Sequence, residues 1–424
     1  MNFAATKRLL LAPDANLPQR DVLLDAKKMA QFLSTWLCKN GPVSLSKCEI
    51  GRVKYRFGAN LRVLYELRSG DLELKVAART FPDGDGAEVC ERFRLSNMPY
   101  STPHPVFFHE QLKTVFWTFP NDRKISNLSV LSHIPRDLAN LSGRVWTKSR
   151  IVAYAPEKCA TAQCLSEGGA VLGYAKVFAG NEGRGIFEIY KQLNEMNLRL
   201  PRALSYSETH RTLMLEVAPG ERVADIQDEN AGELYRKFGS AIALLHQVER
   251  PNDLKRFKRL DTDRLQQVLR TIENARPDAS FQAATLCKKL SDFSFWEGPA
   301  VCLHSDVHAK NAIWRDGDLT LIDLDQASGG PAAFDIGSFL AGLQYKECVG
   351  QMEAKTRVEI SEKFLAGYAE IRTLPTEASL RRHTVAALFG ERALRAISRV
   401  RVEGLENLSS ILARSENILR GGDL

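Results

Sequence analysis

The hydrophobic pattern of this chain changes period once, at Ala218-Pro-Gly220, and that switch limits the folds open to it. Upstream, apolar and polar residues alternate in short runs: Arg52-Val-Lys-Tyr-Arg-Phe57, Leu61-Arg-Val-Leu-Tyr-Glu-Leu67 and Leu72-Glu-Leu-Lys-Val-Ala-Ala78. The turn Arg68-Ser-Gly-Asp71 joins the last two. Downstream, apolar residues recur every three or four positions, as Leu234, Phe238, Ile242 and Leu245 do within residues 232–247. Helical patterns return over 263–275, 333–345, 353–372, 379–401 and 403–420, interrupted only by a strand–loop–strand reading at 300–325. A β-rich half followed by a mainly helical half reads as an α+β chain of two lobes, and 424 residues exceed what one simple core holds.

The β-rich half reads as two similar units. Val53-x-Tyr55 precedes Lys75-Val76 in the first, and Val152-x-Tyr154 precedes Lys176-Val177 in the second; each unit is three strands followed by a helix carrying glutamate. Two unrelated antiparallel meanders would give a similar pattern. The expected divisions are an arm over 1–45, a first β-rich subdomain over 46–142, a second β-rich unit over 143–218, and a helical lobe over 219–424. Phe119-Pro-Asn-Asp-Arg123 is a connecting turn between the units.

No apolar run reaches the roughly 18–20 residues of a membrane span, so no membrane association is expected. The apolar start is too short for a secretory leader, with Asp14 and Arg20 close behind it. Eight scattered cysteines without a C-x-x-C pair suit reduced thiols and a cytoplasmic location. Residues 1–218 carry 30 Lys and Arg against 21 Asp and Glu, but no dense basic run appears, so nucleic acid is not an expected partner.

The chemistry is concentrated in Val301-Cys-Leu-His-Ser-Asp-Val-His-Ala-Lys-Asn311 and Leu319-Thr-Leu-Ile-Asp-Leu-Asp325. Apolar flanks make strands of both ends, so the polar residues fall at strand ends and in a loop. The spacing His304-x-Asp306-x-x-x-x-Asn311, then Asp323, suits phosphoryl transfer from ATP. Asp306 would orient an acceptor hydroxyl and take its proton. Asn311 and Asp323 would bind Mg²⁺, a hard cation that wants oxygen ligands. His304 would brace the loop by hydrogen bonds. The plainer reading is a polar hairpin with a core histidine; the apolar frames and the following Ile-Asp pair weigh against it.

Together with Gly330-Pro-Ala-Ala-Phe-Asp335-Ile-Gly337, these segments resemble the aminoglycoside phosphotransferase and choline kinase-like superfamily of small-molecule kinases. That family shows H-G-D-x-H-x-x-N, then I-D, then G-D-P-x-x-D-L-A. Here Ser305 replaces a glycine, Gly330 the aspartate before proline, and Gly337 an alanine; none of these is a phosphate or metal ligand. The resemblance implies a protein kinase-like two-lobed fold, ATP as donor, Mg²⁺ as cofactor and a small-molecule hydroxyl as acceptor. It also implies that Asp335 braces the catalytic loop. Asp325 is either an outer ligand of the site or solvated.

By the same resemblance, 143–218 is the nucleotide-binding lobe and 219–424 the lobe with the catalytic loop and acceptor site. Lys176 would meet the nucleotide phosphates, held by Glu188 on the next helix. Residues 155–158 would cover the phosphates, and the backbone of Glu216, Val217 and Ala218 would meet the adenine edge. Lys75, with Glu88 or Glu91, is the rival; chain order favours Lys176, because its unit leads directly into 213–220. The unit at 46–142 is then extra, as in maltokinase-like sugar kinases. No Walker A sequence is present. Acceptor-site candidates are Asp306, His308, Gln344, Tyr345, Glu391 and Arg392. A sugar or an aminoglycoside are the acceptors considered, and the many basic residues over 381–401 tilt the choice towards a neutral or anionic one. A protein kinase-like regulator and a nucleotide-binding pseudoenzyme are the alternatives, although no D-F-G or A-P-E segment is present.

Overall fold

The computed structural model describes residues 10–37, 44–95, 106–141, 143–196, 198–226, 231–248, 255–256, 262–295 and 299–424. Residues 1–9 and 38–43 of the expected arm, and His104 at the start of an expected strand, lie outside the described residues.

The β-rich half holds two five-stranded antiparallel sheets. The first is built from Lys47–Arg56, Asn60–Ser69, Leu72–Thr80, Val106–His109 and Thr114–Thr118, with helix Gly86–Leu95 after the third strand. The second uses Lys148–Ala155, Cys159–Leu165, Val171–Phe178, Ala203–Ser207 and Thr212–Leu215, with helix Glu182–Glu195 in the same place. Counting strands within each sheet in chain order, both are arranged first, second, third, fifth, fourth. Both also carry a register shift at one point of the first strand, between Ile50 and Arg52 and between Ile151 and Ala153. The repeat visible in the sequence is therefore a repeat of topology.

The first sheet is buried on both faces, which explains why its strands carry more apolar residues than simple alternation requires. Leu64, Ala77, Val115 and Trp117 share a core with Ala160, Ala162, Ala175, Val177 and Met214 of the second sheet. Val63, Tyr65, Val76 and Phe116 share another with Leu23, Met29 and Leu33 of the arm and with residues of helices Thr262–Ala275, Ser280–Ser291 and Leu408–Leu419. Asp25 caps arm helix Ala26–Trp36 by accepting from the N–H groups of Lys27 and Lys28, both at 3.1 Å. The first unit is thus wedged between the second sheet and the far end of the helical lobe.

The helical lobe is built around helix Ala231–Gln247 packed on Ala354–Ala369. Two glycines permit the close approach: a Cβ at Gly239 would lie 1.9 Å from the Phe364 oxygen, and one at Gly367 1.8 Å from the Arg236 oxygen. Short strands Val301–Leu303 and Ser328–Gly330 pair antiparallel, and Ala312–Arg315 and Asp318–Leu321 form a hairpin. The chain leaving the second sheet joins that hairpin, Glu221 opposite Trp314 and Arg222 opposite Ile313. Among the described residues no helix is long and apolar enough to cross a membrane.

Candidate active site

The loop over 304–311 hangs from strand Val301–Leu303 and is fixed by one buried carboxylate. Asp335, in the first turn of helix Ala332–Cys348, is fully buried. Its Oδ2 accepts from the His304 N–H at 2.7 Å, and its Oδ1 from the Ser305 N–H at 2.9 Å. A negative charge at a helix start is favoured by the aligned peptide dipoles. Ser305, with φ +63°, holds the left-handed conformation that the family's usual glycine adopts freely, and its hydroxyl meets that of Ser328 at 2.7 Å. The third contact to Asp335 was not legible in the sequence: His246 Nε2 lies 3.1 Å from its Oδ2, and His246 Nδ1 lies 2.9 Å from the Tyr368 hydroxyl. His246 stands 89 residues upstream in an amphipathic helix, where it reads as an ordinary last-turn residue.

His304 Nε2 donates to the Ile322 carbonyl at 3.0 Å, and the Ile322 N–H donates to the Asn311 carbonyl at 3.0 Å. These bonds hold the loop against the segment carrying Asp323. Asn311 Nδ2 donates to the Asp306 carbonyl at 3.0 Å, so Oδ1 is the acceptor end of the amide. Asp323 takes φ +63° at the following turn, where the Leu324 N–H donates to the Tyr190 hydroxyl at 3.2 Å. Asn311 and Asp323 thus lie on adjoining segments and carry oxygen donors, the ligand type a hard cation takes. Among the described residues no group of three or more His, Cys, Asp or Glu side chains is arranged to hold a metal.

The lysine of the second sheet reaches this loop across the lobes. Lys176 Nζ lies 3.1 Å from Asp323 Oδ1 and also pairs with Asp325 Oδ2. Burial pushes the ammonium pKa down, but Asp325 and Asp323 outweigh it and hold it above its ordinary value. Burial and the neighbouring Asp323 raise Asp325, against the pull of Lys176. Asp325 is therefore a direct partner of the lysine. The expected Lys176–Glu188 pair does not form: Glu188 is half-buried without an ion pair among the described residues, because two loop carboxylates outcompete one helix carboxylate for a single ammonium. Helix Glu182–Glu195 touches the loop through Tyr190 instead.

Asp306 keeps 21% of its side chain exposed. Burial alone would raise its pKa, but His308, Arg395 and His304 hold it down at about 2. His308 Nε2 stands 3.6 Å from Asp306 Oδ2. Of the acceptor candidates, Glu391 accepts from the Ser338 hydroxyl at 3.3 Å and lies 3.7 Å from Arg395, while Arg392 donates to the Ser338 carbonyl at 3.0 Å. Gln344 is fully buried and faces elsewhere, donating to the Asp423 carbonyl at 3.1 Å and accepting from Arg414 at 3.0 Å.

The turn over 155–158 lacks glycine and is held by other means. Glu157 has φ +63° and its carboxyl is 1% exposed. Three guanidiniums meet that carboxyl: Arg62 at 3.1 Å, Arg79 at 2.8 Å and Arg123 at 2.6 Å. Asp122 Oδ2 accepts from the Glu157 N–H at 2.8 Å and from the Tyr154 hydroxyl at 2.6 Å. The first unit repeats this lock, with Asp14 Oδ2 accepting from the Gly58 N–H at 2.9 Å and the Tyr55 hydroxyl at 2.6 Å. Beyond the second sheet, the Glu216 N–H donates to the Arg202 carbonyl at 2.9 Å, and Val217 and Ala218 are half-buried at the crossing between lobes. The rival Lys75 pairs with Glu66 on its own sheet at 2.8 Å and has no part in the loop.

The model of the phosphotransferase enzyme family matches residues 181–400, about half of the chain and the whole of the loop just described. The chain belongs to the phosphotransferase enzyme family. Stress response kinase A of Escherichia coli K12 is 40% identical over 62 residues, 15% of this chain and 18% of that protein. The serine/threonine protein kinase RdoA of Salmonella typhimurium LT2 is 36% identical over 86 residues, 20% of this chain and 23% of that protein. The chain thus spans about a fifth of the length of these curated relatives. An amicoumacin kinase solved with AMP-PNP, Ca²⁺ and its antibiotic is 15% identical, with a TM-score of 0.46 over 64% of this chain and 90% of that one. The whole of the first subdomain, the Glu157 cluster and Lys176 lie outside the family match.

Proposed function

We propose that this member of the phosphotransferase enzyme family transfers the γ-phosphoryl group of ATP to a hydroxyl of a small molecule, with Asp306 as the base. The observation carrying this reading is the convergence, from both lobes, of Lys176 and Asp323 at 3.1 Å, although 147 residues separate them in sequence. Lys176 would meet the donor phosphates, and Asn311 and Asp323 would hold Mg²⁺. When bound, Mg²⁺ neutralises charge on the phosphate oxygens. The acceptor oxygen forms a bond to the γ-phosphorus as the bond from that phosphorus to the β–γ bridging oxygen breaks, releasing ADP, and the hydroxyl proton passes to Asp306. Val217 and Ala218 would meet the adenine edge through their backbone.

A carboxylate held at about 2 is a weak base in water, so its main work is to orient the hydroxyl and take the proton late, as bonding to phosphorus makes that proton acidic. His304, His246 and Asp335 act as positioning residues through the loop. The name of the Salmonella relative favours a second reading, a protein hydroxyl as acceptor. ADP formation by the purified chain with ATP and Mg²⁺, compared with Asp306→Asn, tests the proposal. Loss of turnover with nucleotide binding retained supports it; an equal rate in Asp306→Asn refutes it.

A further inference from the structure

Beyond the catalytic loop, a strip of positive charge runs from Asp306 to the outer strand of the first sheet. It begins at Arg392, which meets Ser338 on the helix whose first turn carries Asp335, and at Arg395, 3.7 Å from Glu391. Arg392 Nε is buried without an acceptor, in a wide helical turn over Leu388–Ala393, a local irregularity frequent at functional sites. Arg399 lies one turn past Arg395, about 6 Å along the axis. It donates to the Val53 carbonyl at 3.1 Å. Val53 sits between Arg52 and Lys54, whose side chains leave the strand on its exposed face with that of Arg56. Across the sheet, Lys54 stands opposite Arg62, and Arg62 opposite Arg79.

Like charges directly opposed on a sheet are destabilising, so this row needs compensation. Glu157 answers Arg62 and Arg79. Among the described residues, the carboxylate in ion-pair range of Arg52, Lys54, Arg56, Arg395, Arg399 or Arg401 is Glu391, 3.7 Å from Arg395. The crowding is felt: burial, with Arg62, Arg56, Arg399 and Lys158, pushes the Lys54 ammonium down to about 8. Burial, with Arg52, Arg395 and Arg401, pushes Arg399 down to about 10.

We propose that this strip binds an anionic group of the acceptor, so that the substrate is a small hydroxyl compound carrying a phosphate or carboxylate. The assignment rests on reading Asp306 as the residue that receives the acceptor hydroxyl. The hydroxyl end lies at Asp306 and the anionic end at Arg399 and Lys54. Arg395 and Arg399, one helical turn apart, can both reach a single small anion. The first subdomain thereby supplies one wall of the acceptor site, through Arg52 and Lys54.

The test is calorimetric titration of the full chain, with ADP and Mg²⁺ present, using glucose against glucose 6-phosphate and glycerol against glycerol 3-phosphate. The phosphorylated member of at least one pair should bind about tenfold more tightly at low salt, and the preference should shrink as salt screens it. Arg399→Gln, and separately the exposed double variant Arg52→Gln with Lys54→Gln, should abolish the preference. Lys28→Gln, on the remote arm, should keep it. Equal binding within both pairs, a preference that survives the double variant, or tighter binding of poly-glutamate than of either sugar phosphate would overturn the assignment. A phosphate preference in a chain that consumes no ATP would sink the kinase reading and spare this site. Asp306-dependent ATP consumption without the preference would do the reverse.

Discussion

Glu157→Gly decides whether the turn over 155–158 is held by its charge cluster or merely strained. Two effects oppose each other there. A left-handed conformation costs a side chain about 1–2 kcal/mol that glycine does not incur, and Glu157 has φ +63° where the first unit has Gly58 at φ +70°. Against that gain, glycine removes a carboxyl that is 1% exposed and leaves Arg62, Arg79 and Arg123, which are 18%, 21% and 26% exposed, facing one another. Stripping one partner from a buried ion pair costs about 3–5 kcal/mol. The difference predicts a net loss of about 1–4 kcal/mol in urea unfolding extrapolated to water. In a background with Arg62, Arg79 and Arg123 all changed to Gln, the sign should reverse, since glycine then relieves both the strain and an unpaired buried carboxylate. The three arginines hold Glu157 below its ordinary 4.5 against the push of burial. A depressed folded value means that the stabilisation is complete above the unfolded value and is lost as pH falls through the folded one. The gap between wild type and Glu157→Gly should therefore narrow below about pH 4.5. A Glu157→Gly chain more stable than wild type at pH 7 would refute the reasoning.

Lys176→Met should lower kcat by about 10²–10³-fold, as for loss of one group that stabilises developing charge, and rates under saturating ATP would check it. His246→Phe leaves Asp335 and Tyr368 each short of a partner, and should cost about 1–3 kcal/mol of stability while lowering kcat more than it changes the ATP KM. Asp306, held at about 2, stays ionised through the neutral range; the stability it gains is present above 3.8 and lost as pH falls through about 2. No acid limb of kcat/KM above pH 5 should then belong to it, and one that vanishes in Asp306→Glu would contradict this. Gly367→Ala normally gains helix stability, but here its Cβ would meet backbone at 1.8 Å, so unfolding should show a loss of about 1–3 kcal/mol or more.

The geometry of the segment over 304–311 was legible because a sequence-local pattern encodes it: strand ends present His304 and Asp306, and five further positions bring Asn311 back across the same loop. Lys176 was legible for a weaker reason, its place on an apolar strand ahead of the crossing between lobes. Its expected partner Glu188 came from the family resemblance, and Asp323 and Asp325 take the ammonium in its place. Long-range polar contacts leave no such trace. His246 is 89 residues from Asp335, and Glu157 is 34, 78 and 95 residues from its arginines, each of which alone reads as a surface charge on a strand or turn. The cationic strip is hidden likewise, because Arg399 and Val53 are 346 residues apart.

The two units show how one frame can serve different ends. Each locks its first turn with an aspartate that takes a tyrosine hydroxyl and a turn N–H, Asp14 in one and Asp122 in the other. Each places a lysine on its third strand. In the first unit Lys75 is spent on Glu66, its direct neighbour across the sheet, so that charge is settled within the sheet. In the second, the register neighbours of Lys176 are Thr161 and Leu213, neither of which can take a charge, so the ammonium must look outward to Asp323 and Asp325. An acidic residue opposite the lysine is thus enough to silence it, and Thr161→Glu should do to Lys176 what Glu66 does to Lys75. If Thr161→Glu left the ATP KM unchanged, cross-strand competition would not be what separates the two units.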